Sequence, residues 1–184
     1  NIIFNIGHNP PSDIFLSNDV DVYRVELNGK AYAFVRQTTG TGTVALEGIV
    51  LDLNDWATIG TEQYKGVTDS VNAHAAAGKG KFVYLADYTG CQIGVGELSE
   101  DDKTILNRSD LTVNLRDDLA KNAGIDFSDG TYYLHGEGML IEGDYLYVLA
   151  NVNKNSEWGN YQPSYLIKYV IQPNGSLKYL DHTT

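Results

Sequence analysis

Gly143-Asp144-Tyr145-Leu146-Tyr147-Val148-Leu149-Ala150 is a turn followed by an unbroken run of apolar and aromatic residues. The same pattern stands twice earlier, in Gly80-Lys81-Phe82-Val83-Tyr84-Leu85-Ala86 and in Gly29-Lys30-Ala31-Tyr32-Ala33-Phe34-Val35. A strand with one wet face alternates apolar and polar residues, whereas a strand covered on both faces reads as a continuous run. These runs are too short for a buried helix and have the length of a strand. Their Tyr, Val, Phe and Leu content agrees. Each run is therefore expected to be a central strand with another layer packed on either side.

The flanking segments complete the pattern. Val20 to Leu27 alternates and reads as a strand, and Asn28-Gly29 is a strong hairpin signal into the first run. Val44 to Leu53 is expected as the third strand and Trp56 to Tyr64 as a more polar fourth. In the second unit, Val71 to Ala77 precedes the run, and Ile93 to Leu98 and Thr104 to Asn107 follow it. Leu111 to Leu115 reads as a further short strand, and Asp117 to Asn122 as a helical turn stopped by Gly124. The third unit has Tyr132 to Ile141, its run, Tyr165 to Ile171 after a long polar loop from Asn151 to Ser164, and Ser176 to Leu180. The chain is thus read as one all-β unit, 1–184, with repeats at 18–68, 69–115 and 131–184.

The runs begin at Ala31, Phe82 and Tyr145, so the repeat is roughly 50 to 60 residues long. Repeats of that length, each reading as a four-stranded antiparallel unit, resemble β-propeller blades. There is no Trp-Asp dipeptide and no kelch double glycine, so the pattern is similar to that of divergent propellers in bacterial surface and secreted proteins. The alternative fold is a β-sandwich or barrel. Propellers have about four to eight blades, so three units are about half a ring. The missing blades are expected from a longer chain or from self-association of two copies. The resemblance implies an extracellular or cell-surface location.

Composition narrows the function. The 184 residues suffice for a real core, and 13 Tyr with 19 Gly suit a turn-rich β protein. A net charge of −11 argues against nucleic acid and anionic membranes, which need clustered Lys and Arg. The sequence has no apolar run of membrane-spanning length, so no membrane insertion is expected. Cys91, the sole cysteine, has no partner for an internal disulfide and reads as a small buried residue near a strand start. The opening Asn1-Ile2-Ile3-Phe4, without an initiator Met or a leader-like segment, is what a processed or trimmed piece would show.

Two groups of residues could carry chemistry. His74 and His135 occupy similar points on the strands that precede two of the runs. By the resemblance those strands line a central channel, where Asn72, His74, His135 and Glu137 are the polar residues expected to meet a ligand. Two imidazoles and a carboxylate could also hold a divalent metal, though the close His spacing of most metal sites is missing. Acidic turns at Asp52-Asn54-Asp55 and at Glu97 to Asp102 could bind calcium through oxygen, though neither matches an EF-hand loop. The second group is in the long loop, where Asn153, Asn155, Trp158 and Tyr161 combine amides with aromatic faces, a set suited to sugar rings. With no phosphate-binding glycine loop and no nucleophile elbow, the expected function is non-enzymatic binding of protein or glycan, without a cofactor. The alternative is a hydrolase, lyase or lactonase-type enzyme using a channel metal such as calcium.

Overall fold

The computed structural model describes residues 20–37, 49–55, 58–59, 73–88, 91–128, 130, 132–154 and 162–184. Over these the chain is all-β. The first sheet contains β1 (Val20–Leu27), β2 (Lys30–Gln37), β3 (Ile49–Asp52) and β4 (Thr58–Ile59). The second contains β5 (Ala73–Lys79), β6 (Phe82–Asp87), β7 (Gln92–Leu98) and β8 (Ile105–Asn107), with β9 (Val113–Asn114) also paired to β7. The third contains β10 (Tyr132–Glu142), β11 (Tyr145–Lys154), β12 (Tyr165–Ile171) and β13 (Leu177–Thr183). Each sheet is an antiparallel meander in chain order, and none closes on itself among the described residues.

The first hairpin follows its sequence signal: Asn28 and Gly29 both adopt positive φ, 49° and 76°, as a tight two-residue hairpin turn requires. The sole helix among the described residues, α1 (Leu115–Ala123), begins earlier than expected. Asn114 caps it, its side chain accepting from the amides of Arg116 and Asp117, and Gly124 ends it in the left-handed conformation. The strand expected over Leu111 to Leu115 is therefore reduced to Val113–Asn114, behind a 3₁₀ turn at Ser109–Leu111. Leu115 and Leu119, one turn apart, bury the inner side of α1, and Tyr169 on β12 donates to Asp118 at 2.7 Å.

The second sheet is covered on both faces, and β6 is buried along its whole length. Val83 and Leu85 join Val25, Leu27, Tyr32 and Phe34 in a core against the first sheet. Phe82, Tyr84 and Ala86 join Leu146, Val148, Ile167 and Tyr169 in a core against the third. For β11 the expectation of burial on both faces is corrected. Leu146, Val148 and Ala150 are buried, but Tyr145 and Leu149 are exposed, because no described layer covers that side of the third sheet.

The sheets approach most closely at their first strands. β5 lies against both β1 and β10, whereas the third and fourth strands of neighbouring sheets make no comparable approach among the described residues. Side-chain size accounts for this. β5 is built from Ala73, Ala75, Ala76, Ala77 and Gly78, and β10 brings Gly136 against Asp87 O, while β6, β7 and β12 put Tyr84, Ile93 and Tyr169 between the layers. The three sheets therefore fan out from a shared inner edge. Hairpin tips tie that edge together. Asn28 N–H donates to Gly80 O at 2.8 Å, and Lys79 bonds Gly143 O and the Asp144 carboxylate.

At Gly78 an added Cβ would stand 2.4 Å from Val25 Cγ1 and 2.6 Å from Glu26 O. Gly78→Ala is expected to lose about 1–3 kcal/mol by overpacking. Gly138→Ala, whose Cβ would meet only Leu149 Cβ at 3.7 Å, should be neutral or slightly stabilising. Denaturant unfolding of the two variants checks the contrast.

Burial raises the pKa of the Tyr84 phenol, which donates to Gly175 O at 2.9 Å. Burial, helped by Asp118, does the same to Tyr169. A folded-state pKa above the unfolded value of about 10 gives stability that is complete below that pH and falls as pH rises through the folded value. Unfolding free energy should therefore decline above pH of about 10, and less steeply in Tyr84→Phe. That variant should also lose about 1–3 kcal/mol at neutral pH, because Gly175 O keeps no donor.

Candidate functional site

Two irregularities at the shared inner edge build the site. Ala73 pairs with Asp87 but Ala75 with Ala86, so His74 is an extra residue in β5. Gly136 pairs with Ala150 but Gly138 with Leu149, so Glu137 is an extra residue in β10. A bulge re-aims the side chain it carries. These two bulges turn His74 and Glu137 towards each other, with Nδ1 of His74 at 3.0 Å from a Glu137 oxygen. The side chains are 26% and 28% exposed.

Tyr88, just after β6, completes the group. Its ring stacks on His74, centroids 4.3 Å apart, and on His135, centroids 4.1 Å apart. Two rings at those distances do not fit on one face, so the imidazoles sandwich the phenol. Nδ1 of His135 lies 3.1 Å from the Tyr88 carbonyl oxygen. A carbonyl and a carboxylate only accept, so both Nδ1 atoms carry the proton and both Nε2 atoms are left as acceptors in the neutral rings. The Nε2 atoms have no hydrogen-bond partner among the described residues. Asp87, next to Tyr88 in the chain, is fully buried and accepts from Gln92 at 3.3 Å.

His74, His135 and Glu137 thus come together as a group of polar ring edges and a carboxylate. The two imidazoles do not converge on one point. Ligands of a single zinc ion lie about 2 Å from it, and here a phenol ring separates them. Among the described residues no group of three or more His, Cys, Asp or Glu is placed to hold a metal ion. The acidic turns are engaged locally. Asp52 accepts from the Asn54 backbone and side chain, both at 2.8 Å, and Asp101 from Ser99 at 2.6 Å. Asp102 pairs with Lys30 at 2.6 Å. Burial works to raise the Glu97 pKa, but Lys81 and Arg108 outweigh it and hold the carboxyl below its ordinary value.

Of the second group, Asn155, Trp158 and Tyr161 lie outside the described residues, as does Asn72 of the first. Asn153 is not in a loop: β11 continues to Lys154, and Asn153 is buried with its side-chain oxygen unpartnered. The segments on either side of residues 155–161 are tied to each other, Gln162 N–H donating to Val152 O and Ser164 to Asn151, both at 2.7 Å. Beside those segments is a cleft of about 390 Å³ lined by Tyr132, Val152, Gln162, Pro163 and Tyr165. A larger cleft of about 600 Å³ sits at the hairpin tips, where both of its lysines, Lys79 and Lys81, are already paired with acids. Cys91 is buried, and burial pushes its thiol pKa up, which suits a packing residue.

No protein-family model matches this chain, and no curated protein is similar to it.

Tyr88 is the residue that sequence reasoning missed. Its stacking has a direct readout. The imidazole C–H proton resonances of His74 and His135 should be shifted upfield by the Tyr88 ring current, and both should move downfield in Tyr88→Leu. Unchanged shifts would mean the sandwich does not form in solution.

Proposed function

We propose that this chain is a non-enzymatic binding module of β-propeller type, acting outside the cell or on its surface, with a glycan as its ligand. The fan of three four-stranded meanders with adjacent first strands supports the propeller reading, since that is how blades stand around an axis.

The paired bulges carry the functional reading. With His135 beside them, they gather two imidazole Nε2 acceptors and a carboxylate, one oxygen of which is already held by His74, at the inner edge. A sugar offers hydroxyl donors in close succession, and a neutral one is not repelled by a chain of net charge −11. The Tyr-lined cleft beside Gln162 and Pro163 adds apolar ring surface of the kind sugars pack against. A protein ligand presenting hydroxyl or amide donors would use the same acceptors.

Neutral oligosaccharides immobilised on an array are the probe. A retained binder should bind at least about tenfold more weakly to His74→Ala and to Glu137→Leu. If no sugar is retained, or if both variants bind normally, this site is not the glycan site.

A second reading draws on the His74–Glu137 bond, which fixes the imidazole with Nε2 outward as a base or metal ligand would need. It is a hydrolase, lyase or lactonase-type enzyme with a divalent metal. One equivalent of such a metal in protein purified without chelators, lost in His74→Ala, would favour it.

A further inference from the structure

The outer face of the third sheet is an apolar surface left uncovered by the described layers. Leu140, Tyr145, Leu149 and Leu166 on it are 55%, 38%, 37% and 40% exposed. Residues directly paired across antiparallel strands share a face, so this face can be read as cross-strand rows. Nearest the hairpin tip the row is Glu142, Tyr145, Val170, Lys178. The next is Leu140, Tyr147, Lys168, Asp181, and the third is Gly138, Leu149, Leu166, Thr183.

Reversed on itself, each row offers complementary contacts at its centre, although Leu140 stands opposite Asp181 in the second. A two-fold axis parallel to the strands lays β10 over the partner's β13 and β11 over the partner's β12. In the first row Glu142 then meets Lys178 and Tyr145 meets Val170. In the second, Lys168 meets Tyr147, a cation–aromatic pairing it already makes within its own sheet, where its ammonium lies 4.0 Å from the Tyr145 ring centroid and 5.5 Å from that of Tyr147. In the third, Leu149 meets Leu166. The acids stand on β10 and β13, and the bases on β12 and β13, so reversal brings unlike charges together at both corners of the first row.

We propose that this face is an interface with a second copy of the chain, related by that two-fold axis. Its size suits a weak, concentration-dependent dimer. Four strands about 4.8 Å apart, paired over about seven residues rising about 3.3 Å each, give roughly 440 Å² per copy. The pair would thus bury roughly 900 Å², in the range of weak interfaces. Sheets packed face to face keep their strands nearly aligned, as this arrangement needs. The interface does not depend on the glycan reading, and it takes the place of ring closure by two copies, in which this face would meet a first sheet.

The test is mass in solution across a hundredfold concentration range, by light scattering on a sizing column. The wild type should reach twice 20.2 kDa. Glu142→Lys and Lys178→Glu should each weaken the dimer at least about tenfold, because each puts like charges together at both corners. Combining the two should restore it. Both residues are exposed, so circular dichroism should show all three variants folded. A monomer throughout would overturn the proposal. So would a dimer indifferent to the single changes, or one the double change fails to rescue, because the third sheet would then meet some other face, such as the first sheet of a neighbour in a ring.

Discussion

The close approach of β5 to β1 and β10 is the constraint on which the rest depends. It exists because β5 is nearly stripped of side chains. With Ala or Gly at Ala75, Ala76, Ala77 and Gly78, the backbones draw together at one edge while Tyr84, Ile93 and Tyr169 hold the sheets apart elsewhere. The layers therefore splay instead of stacking flat. The same closeness brings the β5 and β10 bulges within a hydrogen bond of each other. Fold and candidate site thus share one cause.

The β5 bulge lies at the start of its strand and the β10 bulge at the middle of its own, with the hairpin tips at the far end of both. The tips are cross-linked by Asn28, Gly80, Lys79 and Gly143. One end of the inner edge is thus fastened by backbone and lysine bonds, and the other carries the imidazole–phenol stack. That division leaves the two imidazole Nε2 atoms at the stack end without a bond among the described residues.

Much of this was legible in the sequence, and for physical reasons. Asn28-Gly29 announced a turn that needs positive φ, and the Phe82 run announced a doubly covered strand, which β6 is. The Tyr145 run has the same composition but a different outcome. Apolar residues record what a face prefers, not whether a layer is there, so a terminal sheet reads like a central one. Asn151 and Asn153 read as loop because Asn is a poor strand former, yet the ladder to β10 carries β11 through them. The start of α1 had a usable signal in Asn114 followed three residues on by Asp117, a cap pattern overlooked beside an apparent strand alternation. His74, His135 and Glu137 were recognised from their matching places before the runs. Tyr88 was not, because nothing in its own segment says that two other segments will close on its ring.

The two cores have no residue in common, and β6 feeds both. The molecule is therefore held together as a short linear array, in which each outer sheet leans on the middle one. In such an array stability is a sum of neighbour terms rather than a single all-or-none quantity. The first sheet can detach and leave the packing around Tyr84, Tyr169 and α1 whole. Loss of the middle sheet leaves neither neighbour anything to rest on.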